Sequence, residues 1–224
     1  MKRTTMILAT VTMVMATGCS KKELIAQKDA EIAGLRADVA QFESEAAEQK
    51  RMTDDLNAQL ADFQEQKRVW LEEKDGLTFI TLDGAATFGT AQADLTTEGQ
   101  EVIDRIWNVL QNYPDRRVLV EGHADSRPIS PGFRWKYASN WELSSARAHA
   151  VLHYLENKHA IEPTRLAAVG YGENDPAADN ESTEGRAQNR RVVITVGSKA
   201  AVEQRKSEAQ VSAVEAPDLD RRND

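Results

Sequence analysis

Asp125 and Arg147 are the two side chains whose types and positions could do chemistry together. The run Val118 to His123 reads as a strand, and Asp125 lies just past its carboxyl end. Open α/β sheets form their ligand crevices at that edge. Arg147 belongs to a helical pattern that starts at Asn140. Leu143, Ala150, Val151 and Tyr154 make the apolar stripe of that helix, Arg147 falls inside the stripe, and Asn140 lies earlier on the same side. A guanidinium on a core-facing stripe needs a carboxylate nearby, because a buried unpaired charge is very costly. Asp125 is the best candidate for that partner. An aspartate and an arginine held together at a sheet edge suit a zwitterion: the carboxylate takes an ammonium, and the guanidinium grips a carboxylate with two parallel bonds. Backbone N–H groups at the start of the helix would add to carboxylate binding. The same two residues would also serve as a plain salt bridge joining strand to helix.

The elements that must position this pair are legible in outline. Ser139-Asn140-Trp141-Glu142 has the pattern of a capping box, which starts the helix at a defined place. Leu77 to Leu82 reads as a strand, Thr97 to Asn112 as a helix, and Tyr113-Pro114-Asp115 as a turn. The strand Val118 to His123 follows, then the helix Asn140 to Lys158 and strands over Arg165 to Tyr171 and Arg191 to Val196. Strands alternating with helices of this length predict an α/β domain with helices layered on a sheet.

Several segments carry a family resemblance. Gly122-His123-Ala124-Asp125, and then Asn140 to Ala148 with Leu143, Ser144 and Arg147, look like the GHTD and NxxLSxxRA motifs of the OmpA/MotB C-terminal-like domain. Gly170-Tyr171-Gly172-Glu173, Pro176 and Glu184 to Val192 resemble its GxGE…P and GRAxNRRV segments. The match runs over residues 77–197, in order. The resemblance implies an OmpA-like two-layer sandwich that binds peptidoglycan non-covalently through the diaminopimelate of its stem peptide. By the same resemblance, Asp125 and Arg147 hold the ammonium and carboxylate of that residue, Asn140 and Leu143 line the cleft, and Arg186 and Asn189 edge it. The family threonine is Ala124 here, which removes a hydroxyl. The loop Ser126 to Ser139 is longer than usual and looks more like the flagellar-stator branch. A stator protein needs a full membrane span with an ion-binding aspartate, and Thr4 to Thr17 has none.

Residues 1–18 have the layout of a secretory signal: Lys2 and Arg3, an apolar run, then small residues up to Cys19. Cys19, the only cysteine, resembles the acylated cysteine of a bacterial lipobox, although Ala16 stands where that family usually has Leu. An ordinary cleaved signal and a retained apolar anchor are the rival readings; a span needs about 17–25 apolar residues, and this run is a few short. Ser20, rather than Asp, favours the periplasmic face of the outer membrane by resemblance to enterobacterial lipoproteins.

Residues 19–76 then read as one coiled-coil helix ended by Gly76. Its a positions are Ile25, Ile32, Val39, Ala46, Thr53, Leu60 and Lys67; its d positions are Lys28, Leu35, Phe42, Gln49, Leu56, Phe63 and Trp70. This pattern predicts a homo-oligomer, a dimer first. Residues 198–224 read as a mostly disordered tail with a short helix first.

The bulk chemistry excludes other classes. A net charge of −8 opposes nucleic-acid binding, which wants a basic patch. One cysteine permits no intrachain disulfide and no cysteine-based zinc site. His149 and His153 stand four apart, but no third ligand or HExxH glutamate accompanies them. Glu121, His123 and Asp125 share a strand face without a nucleophile motif, so neither enzyme nor cofactor is expected. The sequence therefore points to a lipid-anchored wall-binding protein, with a coiled-coil adaptor or a MotB-like stator-type protein as the alternative.

Overall fold

The computed structural model describes the backbone of residues 2–215 and the side chains of residues 21–208. The expectations that rest on Cys19 and the signal segment lie outside the described side chains, as does the last part of the tail. Among the described residues, no helix is long and apolar enough to cross a membrane.

The chain runs α1 (Lys2–Glu65), β1 (Val69–Lys74), β2 (Leu77–Asp83), α2 (Gly84–Thr87), α3 (Thr97–Leu110), β3 (Arg117–Gly122), α4 (Asn140–His159), β4 (Leu166–Gly170), α5 (Thr183–Asn189), β5 (Arg191–Gly197) and α6 (Lys199–Glu215). It divides into two compact units, residues up to Ala47 and residues from Glu48 onward. The fold is the α/β arrangement the sequence predicted. One five-stranded sheet has the order β1-β2-β5-β3-β4. All neighbours are antiparallel except β3 and β4, which are parallel and joined through α4.

The helix does not reach Gly76. It ends at Glu65 in a Schellman turn: Lys67 takes a φ of 58°, Arg68 N donates to Phe63 O at 2.9 Å, and Lys67 N donates to Gln64 O at 2.9 Å. A lysine in the left-handed position, in place of the usual glycine, hid this stop from the sequence. Asp75 and Gly76, with φ of 53° and 72°, instead form the two-residue turn of a β1–β2 hairpin. Both central residues must be left-handed in such a turn, which is why Asp-Gly is favoured there.

From Gln49 on, the expected coiled-coil seam is filled by the domain itself. Met52, Leu56, Leu60 and Phe63 join the main core with Ile80, Ile103, Ile106, Leu110, Leu155 and Ile194. The polar seam residues are matched to β2: Gln49 Nε2 donates to Thr78 Oγ1 at 2.8 Å, and the Thr53 and Thr78 hydroxyls meet at 2.6 Å. Arg116 Nη2 donates to Glu48 Oε2 at 2.5 Å. Leu56, fully buried, is therefore a core residue; Leu56→Ala is expected to lower stability by about 3 kcal/mol, read by urea unfolding. In the first unit the seam is bare: Ile25, Ile32, Leu35, Val39 and Phe42 are 46–67% exposed.

The opposite sheet face is covered by α6, which starts where the sequence suggested a short helix ahead of a mostly disordered tail. Val202 packs on Leu77 and Leu119. Beneath the helix, the buried Glu121 carboxylate accepts from Thr195 Oγ1 at 2.5 Å, Tyr171 Oη at 3.0 Å and Arg205 Nε at 3.0 Å. An ion pair to a buried carboxylate fixes one docking position for α6, information that tail composition does not carry.

His123 lies beside this network, fully buried and stacked on Tyr171 with ring centroids 4.9 Å apart. Its ring nitrogens have no well-formed hydrogen-bond partner, and Nδ1 is 3.5 Å from Asp175 Oδ2. Burial, reinforced by the Arg191 and Arg205 charges, pulls its pKa down to about 2. The unfolded chain takes up the proton near pH 6.5 while the folded chain refuses it. Stability is thus full above that pH and falls as pH drops, by up to about 1.4 kcal/mol per pH unit. Urea unfolding at pH 7, 6 and 5 should show this slope, and His123→Phe should flatten it.

Candidate functional site

A cleft of about 380 Å³ opens at the carboxyl end of β3. Ala124 and Asp125 line it from the strand end, Asn140, Leu143 and Arg147 from α4, Phe88 from the end of α2, and Arg190 from the residue before β5. The long loop contributes Arg127, Pro128, Ile129 and Ser130. Four of the expected site residues, Asp125, Asn140, Leu143 and Arg147, therefore meet in one cavity.

The second turn of α4 approaches β3 and β4 closely because the facing strand positions are glycines. A Cβ at Gly122 would stand 2.1 Å from Ser144 O, and one at Gly170 would stand 2.5 Å from Ser145 N. The two glycines are paired across β3 and β4. The capping box forms as expected, with Ser139 N donating to Glu142 Oε2 at 2.7 Å. Ser139 Oγ also accepts from Trp141 N at 3.2 Å, so that first-turn N–H is spent on the cap rather than held for a ligand. Asn140 Nδ2 lies within 3.0 Å of Asp125 O and Arg127 O and 2.6 Å from Glu173 Oε2. The amide thus ties the strand end to the loop. Leu143 packs with Ile129 and Tyr137, which seats the loop on the helix.

The expected Asp125–Arg147 pair is not what forms. Asp125 Oδ2 accepts from Arg190 Nη1 at 2.6 Å, and Oδ1 accepts from Arg127 N at 3.0 Å. Arg147 is only 5% exposed. Its Nε donates to Gln92 O at 3.0 Å, and its guanidinium carbon sits 5.2 Å from the Phe88 ring centroid. Among the described residues, its two terminal nitrogens have no hydrogen-bond partner. Burial pulls its pKa down to about 10; the nearby Arg190 charge acts in the same direction, while Tyr137 and Asp125 oppose it. The cleft thus holds one paired acid and a desolvated guanidinium whose parallel N–H groups are unengaged. Such a fork takes a carboxylate in two parallel bonds.

Arg190 is the site residue that sequence reasoning missed. Its signal was position: it precedes β5 and is the partner of a β3-end carboxylate. Arg186 and Asn189 do not line the cleft. Arg186 Nη1 donates to Asn180 O at 2.7 Å and Glu181 O at 2.8 Å. Asn189, fully buried, accepts from Ala177 N and Ala178 N and donates to Ala178 O and Asn180 Oδ1. Both side chains are spent on folding the loop between β4 and α5. Among the described residues, no cluster of three metal-ligating side chains occurs.

Comparison with known proteins places this geometry. Residues 87–190 match the OmpA family model. The chain is 31% identical over 163 residues to Motility protein B of Bacillus subtilis (strain 168), covering 70% of this chain and 60% of that protein. It is 36% identical over 113 residues to the Peptidoglycan-binding protein ArfA of Mycobacterium bovis, covering 50% of this chain and 32% of that one. It therefore spans only part of either relative. Among solved structures, the cell wall anchor of the T6SS from Pseudomonas aeruginosa superposes with a TM-score of 0.59 at 38% identity, over 64% of this chain and 97% of that one. The cleft is built from residues inside or beside the segment that matches the OmpA family model, so the likeness to that family lies in the domain that carries the site.

Proposed function

We propose that this domain binds peptidoglycan non-covalently, taking the diaminopimelate of a stem peptide in the cleft. Arg147 receives its carboxylate and Asp125 its ammonium, with Arg190 sharing Asp125. One observation carries the reading: a guanidinium 5% exposed, without a carboxylate of its own, beside Asp125 in an open cleft. The likeness to a protein named for peptidoglycan binding and to a cell wall anchor supports it. The protein works as a clamp, with no turnover and no cofactor. The test is co-sedimentation with insoluble peptidoglycan in the presence of a stem tetrapeptide containing diaminopimelate or the same tetrapeptide with lysine in its place. The diaminopimelate peptide should release the protein; the lysine peptide, whose side chain ends in an ammonium without a carboxylate beside it, should not. Equal release by both would overturn the assignment.

In this reading the chain is exported, acylated at Cys19 and held at the periplasmic face of the outer membrane, so that wall binding tethers membrane to wall. Palmitate labelling of wild type but not Cys19→Ala is the expected result. The bare stripe of Ile25, Ile32, Leu35, Val39 and Phe42 supports a coiled coil with a second copy of this helix, shortened to the first unit. An adaptor role, in which that stripe recruits a different protein, predicts hetero-crosslinks in place of self-crosslinks.

A further inference from the structure

A second cavity, of about 340 Å³, lies beside the first and shares Arg190 with it. The sheet provides its floor. Trp70 on β1 pairs with Thr81 on β2, and Asp83 pairs with Arg191 on β5. Gln188 of α5 stands over them. Trp70 is 48% exposed, a large flat apolar surface on an edge strand that contributes nothing to the core.

The charges here are already matched. Asp83 Oδ2 accepts from Ala86 N at 3.0 Å, Arg190 holds Asp125, and Arg191 Nη2 donates to Asp175 O at 3.1 Å. What remains uncommitted is neutral or donor-like. Arg191 Nη1 is buried without a hydrogen-bond partner, and the Gln188 side chain is exposed at the cavity. An exposed indole face, an amide and a hydroxyl fit a neutral ring with one apolar face and a polar rim. A pyranose bearing an acetamido group has that chemistry, and the volume is in the range of small-ligand clefts.

We propose that this second cavity is a glycan subsite, seating an N-acetylhexosamine of the wall strand on Trp70 while the first cleft holds the stem peptide of the same strand. This rests on the wall-binding reading above. The connecting residues of the stem, at about 3.5 Å each when extended, bridge two cavities that one arginine separates.

The test is calorimetric titration of the full-length chain in detergent with two probes: a diaminopimelate-containing tripeptide, and the same tripeptide carrying its disaccharide. Wild type should bind the disaccharide form roughly tenfold more tightly, about the worth of one good stacking contact. Trp70→Ala should remove most of that preference while leaving tripeptide affinity unchanged. Gln188→Ala, at an exposed position that cannot unfold the domain, should remove part of it. Equal wild-type affinity for both probes, or a preference that survives both substitutions, would overturn the glycan subsite and leave the peptide clamp standing. Binding of neither probe would overturn both.

Discussion

Arg147→Ala is expected to cut retention on insoluble peptidoglycan by about 30-fold or more. The side chain is held by Gln92 O and by the Phe88 ring, and its pKa is already depressed by burial. Truncating one partner of a buried charge pair costs on the order of 2–5 kcal/mol in binding, much of it the penalty of leaving the ligand carboxylate unpaired. Arg147→Lys should recover only part of the loss. An ammonium is a point charge and cannot offer two parallel bonds, nor keep the Gln92 contact while reaching the ligand. Stability should not fall in step with binding, because the desolvated cation has no ion pair in the free protein to lose. Equilibrium binding to sacculi read alongside thermal melting separates the two effects. Full retention by Arg147→Ala would remove the site assignment at its centre.

Gly122→Ala carries the largest expected effect on the fold, a loss of about 3 kcal/mol or more. The added methyl would stand 2.1 Å from Ser144 O and 2.8 Å from Ser144 C, both backbone atoms of α4. No rotamer change relieves such a contact; either the helix lifts or the strand distorts, and overpacking of this kind is strongly destabilising. β3 is also buried on both faces, under α4 on one side and α6 on the other, which leaves it nowhere to move. Arg147 is one turn along α4 from Ser144, so any variant that survives with a lifted helix should also bind peptidoglycan poorly. Urea unfolding gives the first quantity and co-sedimentation the second. A Gly122→Ala protein that unfolds like wild type would mean that α4 does not sit as closely on β3 as described.

Much of the site was legible because its signals are local. The Asn140 helix start follows from a four-residue cap, and β3 follows from a short apolar run. Their junction at Asp125 follows from the rule that crevices form at strand carboxyl ends. The partner of Asp125 was not legible. A charge on an apolar stripe announces that it needs company, but nothing within the stripe says whether the nearest acid is already taken. Arg190 is 65 residues from Asp125 and reaches it only because β5 lies next to β3. Asn189 and Arg186 were misplaced for a related reason: polar side chains in a loop serve the loop's own backbone as readily as a ligand, and spacing does not distinguish the two.

The long helix shows the same division. Its heptad pattern established, from sequence alone, that one face of residues 25–63 is apolar and must be covered. Only the tertiary structure decided by what: from Gln49 onward the cover is the sheet and the helices of the same chain, whereas Ile25, Ile32, Leu35, Val39 and Phe42 of the first unit stay exposed among the described residues. The sequence by itself determined periodicity, caps and charge, because these depend on neighbours a few residues away. The choice of partner for each buried face and each charge depended on which strands lie side by side. That is a property of topology, and no short stretch of residues records it.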